Sequence, residues 1–252
     1  MNSFGLSNLN RDNIDRHVTL CLHKGRSVAQ ADIFLLEIEG KEYVLKDIIN
    51  RPRLIKETFG KRLIEREWRV YKQLQGITGI PKIYKKIDPS AFVMEYIPGM
   101  RISRRRHSGM EPEFFVKLKN IVREMHERGV THGDIRRKNI MITPDNEPYI
   151  IDFAGAFRVK ERFSPEARKN APFFKRPLYA VLYYFQKMFF KRLVKVDNVT
   201  ILKMHHYLNP DSLSEKERHK LENIPWYLKV GRFLKKKVYR KIKHATWKRG
   251  GR

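Results

Sequence analysis

Three residues with oxygen-bearing side chains are spaced so that a short hairpin can gather them. Asp134 and Asn139 lie five residues apart in "GDIRRKN", and Asp152 follows Asn139 by thirteen residues, at the end of "PYIID". Between them, "NIMI" and "PYII" are apolar runs joined by "TPDNE", whose Pro, Asp and Asn mark a turn. A hairpin of that length folds back on itself and brings Asn139 and Asp152 side by side. A carboxamide and a carboxylate suit Mg²⁺, a hard cation that takes few protein ligands and keeps several waters. Asp134, on the same loop, faces that space and is able to accept a proton from an attacking hydroxyl.

Such a site needs elements to hold it. From Arg16 to about Tyr96 the sequence reads as strands interrupted by one helix. "DIFLLEIEGKEYVLKDI" gives two β-rich runs around Glu39-Gly40, a hairpin signature. "KRLIEREWRVYKQLQG" switches to helical spacing, with Ile64, Glu67, Val70, Tyr71 and Leu74 on one face and Gly76 just past its end. "AFVMEYIPG" is a further apolar strand, stopped by Pro98-Gly99. "EPEFFVKLKNIVREMHERGV" is a long amphipathic helix with Pro112 in its first turn and Gly129 near its end. The remainder to about Glu222 reads as mainly helical. The expected fold is α+β and two-lobed: an extension over 1–15, a small sheet lobe with one helix over 16–97, a mainly helical lobe over 98–222 and a tail over 223–252. The lobe boundary near Ile97 to Met100 carries no linker composition and reads as a hinge.

The stretch resembles the catalytic core of the protein-kinase-like superfamily, whose motif is His-x-Asp, an Asn five residues after that Asp, then Asp-Phe. Here it reads His132-Gly133-Asp134, Asn139 and Asp152-Phe153. The resemblance covers roughly Arg16 to Arg158. It implies a protein-kinase-like fold that uses ATP and Mg²⁺, with Asp134 as catalytic base and Asn139 and Asp152 as metal ligands. It implies that Lys46 of "YVLK" holds the α- and β-phosphates and pairs with a helix acid. Glu65 and Glu67 both compete for that role, and Glu67 shares the face of Ile64, Val70 and Leu74. "VMEYIPG" resembles the hinge that receives adenine through backbone groups of Glu95 and Ile97. Arg136 stands where many relatives carry a lysine that steadies the transferring phosphoryl group, which implies an electrostatic catalytic role.

The departures from the pattern narrow the branch. The phosphate-covering loop, "HKGRSVAQADIF", offers only Gly25, with Ser27 and Ala29 as small stand-ins. Gly133 replaces the arginine found between His and Asp in many regulated protein kinases, and no Ala-Pro-Glu follows Asp152. The pattern is similar to RIO-type kinases, aminoglycoside phosphotransferases, and the lipopolysaccharide core kinases that act on heptose or Kdo sugars. The expected function is therefore phosphoryl transfer from ATP to a hydroxyl on a lipopolysaccharide core sugar. The alternatives are a RIO-like serine/threonine protein kinase and an inactive kinase-fold adaptor on anionic membrane or RNA. The intact set of Lys46, Asp134, Asn139 and Asp152 argues against the adaptor.

Composition bounds the partners. The 252 residues carry a formal net charge of +27, which favours a polyanionic partner: anionic lipid, nucleic acid or a phosphorylated glycan. Between Glu166 and Asp197 there is no acid, while eight Lys or Arg residues alternate with "FF", "LYAVLYYF" and "MFF". That run reads either as a buried lobe helix or as an interfacial one. After Glu222 thirty residues hold 11 Lys or Arg with Trp226, Tyr227, Phe233, Tyr239 and Trp247. Such a tail suits an anionic membrane surface, and also nucleic acid. Arg104, Arg105 and Arg106 form a further basic cluster just after the hinge, and His205-His206 read as structural. Cys21 has no partner in the chain, which fits a reducing compartment. No secretory signal opens the sequence and no run reaches the roughly 20 apolar residues of a spanning helix. The expected location is cytoplasmic, peripheral on the inner face of the membrane.

Overall fold

A computed structural model describes residues 5–25 and 30–225 of the chain. They pack as two compact units. One holds the chain up to Gln75, Pro81–Ile97 and the described residues from His219 on; the other holds Gly76–Ile80 and Pro98–Arg218.

The first unit is built on five antiparallel strands: β1 (Val18–His23), β2 (Asp32–Ile38), β3 (Lys41–Asp47), β4 (Ile83–Asp88) and β5 (Ala91–Glu95), in the order β1-β2-β3-β5-β4. The β2–β3 hairpin turns on Glu39 and Gly40, both at positive φ. Lys46 lies opposite Ile33 on one side and Phe92 on the other, so the central strand fixes it from both flanks. Helix α1 (Lys61–Leu74) buries Ile64, Glu67, Val70, Tyr71 and Leu74, the stripe expected from sequence. Trp68 and Tyr71 set their rings 5.6 and 6.0 Å from that of Phe92 on β5, which holds α1 to the sheet.

Residues 5–15 pack into this unit. Leu9 and Ile14 are fully buried in one cluster with Leu36, Ile38, Leu45 and Val93. Arg11 donates to Asp88 Oδ2 at 2.7 Å and Ser90 Oγ at 3.1 Å, and also pairs with Asp47. Two apolar side chains on irregular turns give no periodic signal, so the sequence pattern missed this contribution.

In the second unit, α2 (Pro112–Glu127) buries Phe114, Phe115, Leu118, Ile121, Val122 and Met125, with Pro112 in its first turn. Strands β6 (Met100–Arg101), β8 (Ile140–Ile142) and β9 (Pro148–Ile150) form one small sheet, and β7 (Val130–Thr131) pairs with β10 (Phe157–Arg158). Helix α3 (Arg176–Leu208) has two different halves. Its C-terminal part buries Asp197, Ile201, Leu202, Met204, His205 and Leu208, whereas its N-terminal part leaves apolar side chains exposed. His205 stacks on Phe115 at 3.9 Å and bonds Ser212 Oγ at 2.7 Å. Burial, aided by the Lys119 ammonium, pushes its pKa down to about 4, so it is a neutral structural residue.

Among the described residues no helix is long and apolar enough to cross a membrane. Ser27 and the tail aromatics Trp226, Tyr227, Phe233, Tyr239 and Trp247 lie outside the described residues.

Candidate active site

The loop carrying Asp134 leaves β7 and is held from beneath by a carboxylate the sequence pattern does not announce. The backbone N–H of His132 donates to Asp197 Oδ2 at 2.8 Å and that of Gly133 to Asp197 Oδ1 at 2.9 Å. His126 Nε2 lies 3.1 Å from the same Oδ2. Asp197 is buried, and a carboxylate out of water needs its lone pairs filled, which these donors do.

Two residues then shape the turn. Gly133 sits at φ +70, and a Cβ there would lie 2.9 Å from the carbonyl oxygen of Gly155. Both the left-handed backbone and the close approach require glycine. His132 is fully buried, with Nε2 3.1 Å from the Ile151 carbonyl, while its Nδ1 accepts the Asp134 N–H at 3.2 Å. Burial lowers its pKa, which keeps the imidazole neutral with its proton on Nε2, the tautomer those two bonds call for.

Asp134 and Asn139 meet directly: Asn139 Nδ2 donates to the Asp134 carbonyl at 3.0 Å and lies 3.5 Å from Asp134 Oδ2. Arg136 Nη2 pairs with the same Oδ2 at 2.9 Å from a largely exposed position. The β8–β9 hairpin pairs Ile140 with Ile150, and the Ile151 N–H donates to the Asn139 carbonyl at 2.9 Å. Asn139 and Asp152 therefore stand at adjacent ends of one hairpin. Asp152 is at φ +68, left-handed; among the described residues the other non-glycine positions at positive φ, Glu39 and Asn146, lie in hairpin turns. Among the described residues no three His, Cys, Asp or Glu side chains converge on a metal position. Asn139 and Asp152 fit Mg²⁺, which is commonly held by one or two protein groups with waters and phosphate oxygens completing its shell.

The first unit assembles its own set. Lys46 Nζ donates to Glu67 Oε1 at 2.7 Å, and both side chains are buried. Of the two acids in contention, Glu65 instead pairs with Arg69 and Lys86. The Gly25 N–H donates to Asp32 Oδ1 at 2.8 Å, so this amide is committed within the protein. The carbonyls of Gln30 and Ala31 and the Arg51 guanidinium crowd Gly25 closely enough to leave no room for a Cβ. Glu95, at the end of β5, exchanges bonds with Lys82: its N–H donates to the Lys82 carbonyl at 2.8 Å and its Oε2 accepts the Lys82 N–H at 2.9 Å. Ile97 is buried.

Arg137, on the Asp134 loop, lies 4.5 Å from the ring centroid of Tyr207, and Arg104 lies 4.8 Å from it. One tyrosine thus steadies two guanidinium groups through cation–π contact. Sequence reasoning missed Asp197 and Tyr207. The signal for Asp197 was present: it is the acid that ends a thirty-residue acid-free run inside an apolar helix. Nothing in spacing pairs Tyr207 with Arg104 and Arg137, because the three come together only through the fold.

Comparison with known proteins identifies the family. The RIO domain family matches residues 45–199, from β3 through Asp197. A probable casein kinase I homolog of Encephalitozoon cuniculi is 28% identical over 124 residues, covering 46% of this chain and 37% of that protein. Serine/threonine-protein kinase cds1 of Schizosaccharomyces pombe is 33% identical over 125 residues, covering 45% of this chain and 27% of that protein. A CBL-interacting serine/threonine-protein kinase of Arabidopsis thaliana is 27% identical over 124 residues, covering 46% and 28%. The chain thus spans well under half the length of these relatives. With a matching region that takes in more than half of its residues, this α+β chain belongs to the RIO domain family of the protein-kinase-like superfamily.

Proposed function

We propose that the chain is an ATP- and Mg²⁺-dependent phosphotransferase that moves the γ-phosphoryl group of ATP to a hydroxyl. The observation that carries this reading is the buried Lys46–Glu67 pair at 2.7 Å. Burying two charges costs several kcal/mol per ion, and apolar residues of similar size commonly serve stability as well or better. A lysine kept charged and aimed by a glutamate is suited to an anionic ligand, here the α- and β-phosphates. Gly25 and Ser27 would border the phosphates, and Glu95 and Ile97 would offer backbone groups to adenine.

Asn139 and Asp152 would hold Mg²⁺, which neutralises charge on the phosphate oxygens when bound. Asp134 would orient the acceptor hydroxyl and take its proton as the oxygen attacks phosphorus. Arg136, already beside Asp134, would stabilise charge on the transferring group. Positioning and charge neutralisation supply most of the rate in such chemistry.

The serine/threonine kinases among the relatives support a protein hydroxyl as acceptor, in the RIO-like manner. The Arg104–Tyr207–Arg137 stack favours a second reading, a phosphorylated sugar of the lipopolysaccharide core, since paired guanidinium groups suit phosphate. The test offers labelled ATP and Mg²⁺ with a generic protein substrate, with dephosphorylated lipopolysaccharide, and with buffer alone. Label on protein supports the first acceptor and label on glycan the second. Absence of both transfer and ATP turnover would overturn the phosphotransferase reading.

A further inference from the structure

We infer that the N-terminal half of α3, with the Phe173–Phe174 turn before it, is a docking surface for an anionic lipid bilayer. Leu178, Leu182 and Phe185 recur at i, i+4 and i+7, one stripe of the helix, and Val181 lies beside them. They are 56%, 38%, 55% and 51% exposed in that order, and Phe173 is 80% exposed. A contiguous apolar surface of this kind marks an interaction site.

This stripe is not the face by which the helix packs on its own unit. Tyr179 meets Phe163 at 5.3 Å, Gln186 bonds both backbone groups of Lys160, and Phe190 meets His126 at 6.3 Å. Those contacts hold one side of α3; Phe189, the next residue of the stripe, meets Phe157 at 5.1 Å, so the outward stretch runs from Leu178 to Phe185 and ends there.

Charge identifies the occupant. Lys175, three residues before Leu178, and Arg192, seven after Phe185, lie on the stripe's own side and are exposed; the exposed Arg176, Lys187 and Lys191 lie elsewhere around the same helix, and no acid lies between Glu166 and Asp197. Apolar side chains in a plane, with rings at the margin and cations beside them, match a helix lying in the headgroup region of anionic lipid. A nucleic acid is a poorer fit, because Leu178, Val181 and Leu182 have no π-face on which a base can stack. A second copy is a poorer fit too, since it would bring two basic surfaces together on chains of net charge +27.

Docking through α3 has a geometric consequence. Asp197, which holds the loop of Asp134, is thirteen residues along the same helix from Tyr184, about 20 Å at 1.5 Å per residue. A docked helix therefore fixes the distance and tilt of that loop relative to the bilayer. The docking itself does not depend on phosphotransfer.

The test uses the full chain, sedimented with vesicles of phosphatidylcholine alone and with vesicles containing about one third phosphatidylglycerol. The wild type is expected to partition onto the anionic vesicles and to be released by salt. Leu182→Glu/Phe185→Glu is expected to weaken that partition about tenfold or more, and Lys175→Gln/Arg192→Gln to weaken it by a smaller, salt-sensitive factor. All four residues are exposed, Leu182 at 38%, so circular dichroism and thermal unfolding of both variants should stay close to wild type. Equal vesicle binding by wild type and Leu182→Glu/Phe185→Glu would overturn the inference and assign any binding to another segment, such as the basic tail. It is equally overturned if the wild type ignores vesicles, or if the substitutions abolish single-stranded RNA binding or self-association instead. ATP turnover measured on the same samples keeps the two readings apart: its loss in wild type sinks the phosphotransferase alone.

Discussion

Asp197 accepts the backbone N–H of Gly133 at 2.9 Å across 64 residues of sequence, so a side chain on α3 fixes the turn that presents Asp134. Its other oxygen takes His132 N–H at 2.8 Å. Asp197→Asn keeps the volume and supplies one acceptor oxygen where two donors need one each. We expect a loss of about 2 kcal/mol in stability from the stranded donor. Phosphoryl transfer should fall about tenfold or more, in kcat rather than in the KM for ATP, because the loop and not the nucleotide site moves. Thermal unfolding with steady-state kinetics checks both.

Gly133→Ala tests the turn itself. Left-handed backbone costs an alanine about 1–2 kcal/mol, and the new Cβ would meet the Gly155 carbonyl at 2.9 Å. Stability should fall by at least that amount and activity with it. A variant as stable and active as wild type would show that the glycine is dispensable.

Lys46→Met removes the ammonium but keeps an apolar side chain of similar length. Glu67 then stays buried without its cation. Denaturant unfolding should show a loss of about 3 kcal/mol, and the thermal shift given by a non-hydrolysable ATP analogue with Mg²⁺ should disappear. Glu67→Gln should weaken that shift less, since a carboxamide still accepts from Lys46.

Stability should also fall with pH in a defined window. His132 and His205 both have folded pKa values below the ordinary 6.5, with His205 at about 4, in each case because burial disfavours the charged form. As pH drops the unfolded chain protonates first, so their contribution is complete above 6.5 and is lost as pH falls toward 4. Asp88 cannot account for that window. Burial alone would raise its pKa, but the Arg11 and Ser90 bonds outweigh it and bring the value to about 2. Unfolding midpoints measured across this range should decline, and His205→Gln should flatten the decline.

Much of the fold was legible because its signals are local. The α1 stripe from Ile64 to Leu74, the Glu39-Gly40 turn and the start of α2 at Pro112 each rest on a period or a turn residue within one element. That Asp134 and Asn139 share one loop was legible for the same reason, but the bond between them was not, since the spacing set Asn139 beside Asp152 with Asp134 facing them. The rest depended on distant partners. Leu9 and Ile14 entered the sheet core without a periodic pattern, and Asp197 reached Gly133 only once α3 packed. For α3 itself, residues apolar on every side left burial and exposure equally open, and the packing of Tyr179, Gln186, Phe189 and Phe190 shows where it meets its own unit. Gly133, read from sequence as a family marker, turns out to be demanded by a backbone angle and a carbonyl contact.

The most direct measurement is transfer of label from γ-labelled ATP, with Mg²⁺, by wild type and by Asp134→Asn at matched thermal stability. If Asp134 takes the acceptor proton, the wild type transfers label or turns over ATP, and Asp134→Asn is slower by roughly a hundredfold or more, the usual worth of a positioned base. Full activity in Asp134→Asn would contradict the assignment.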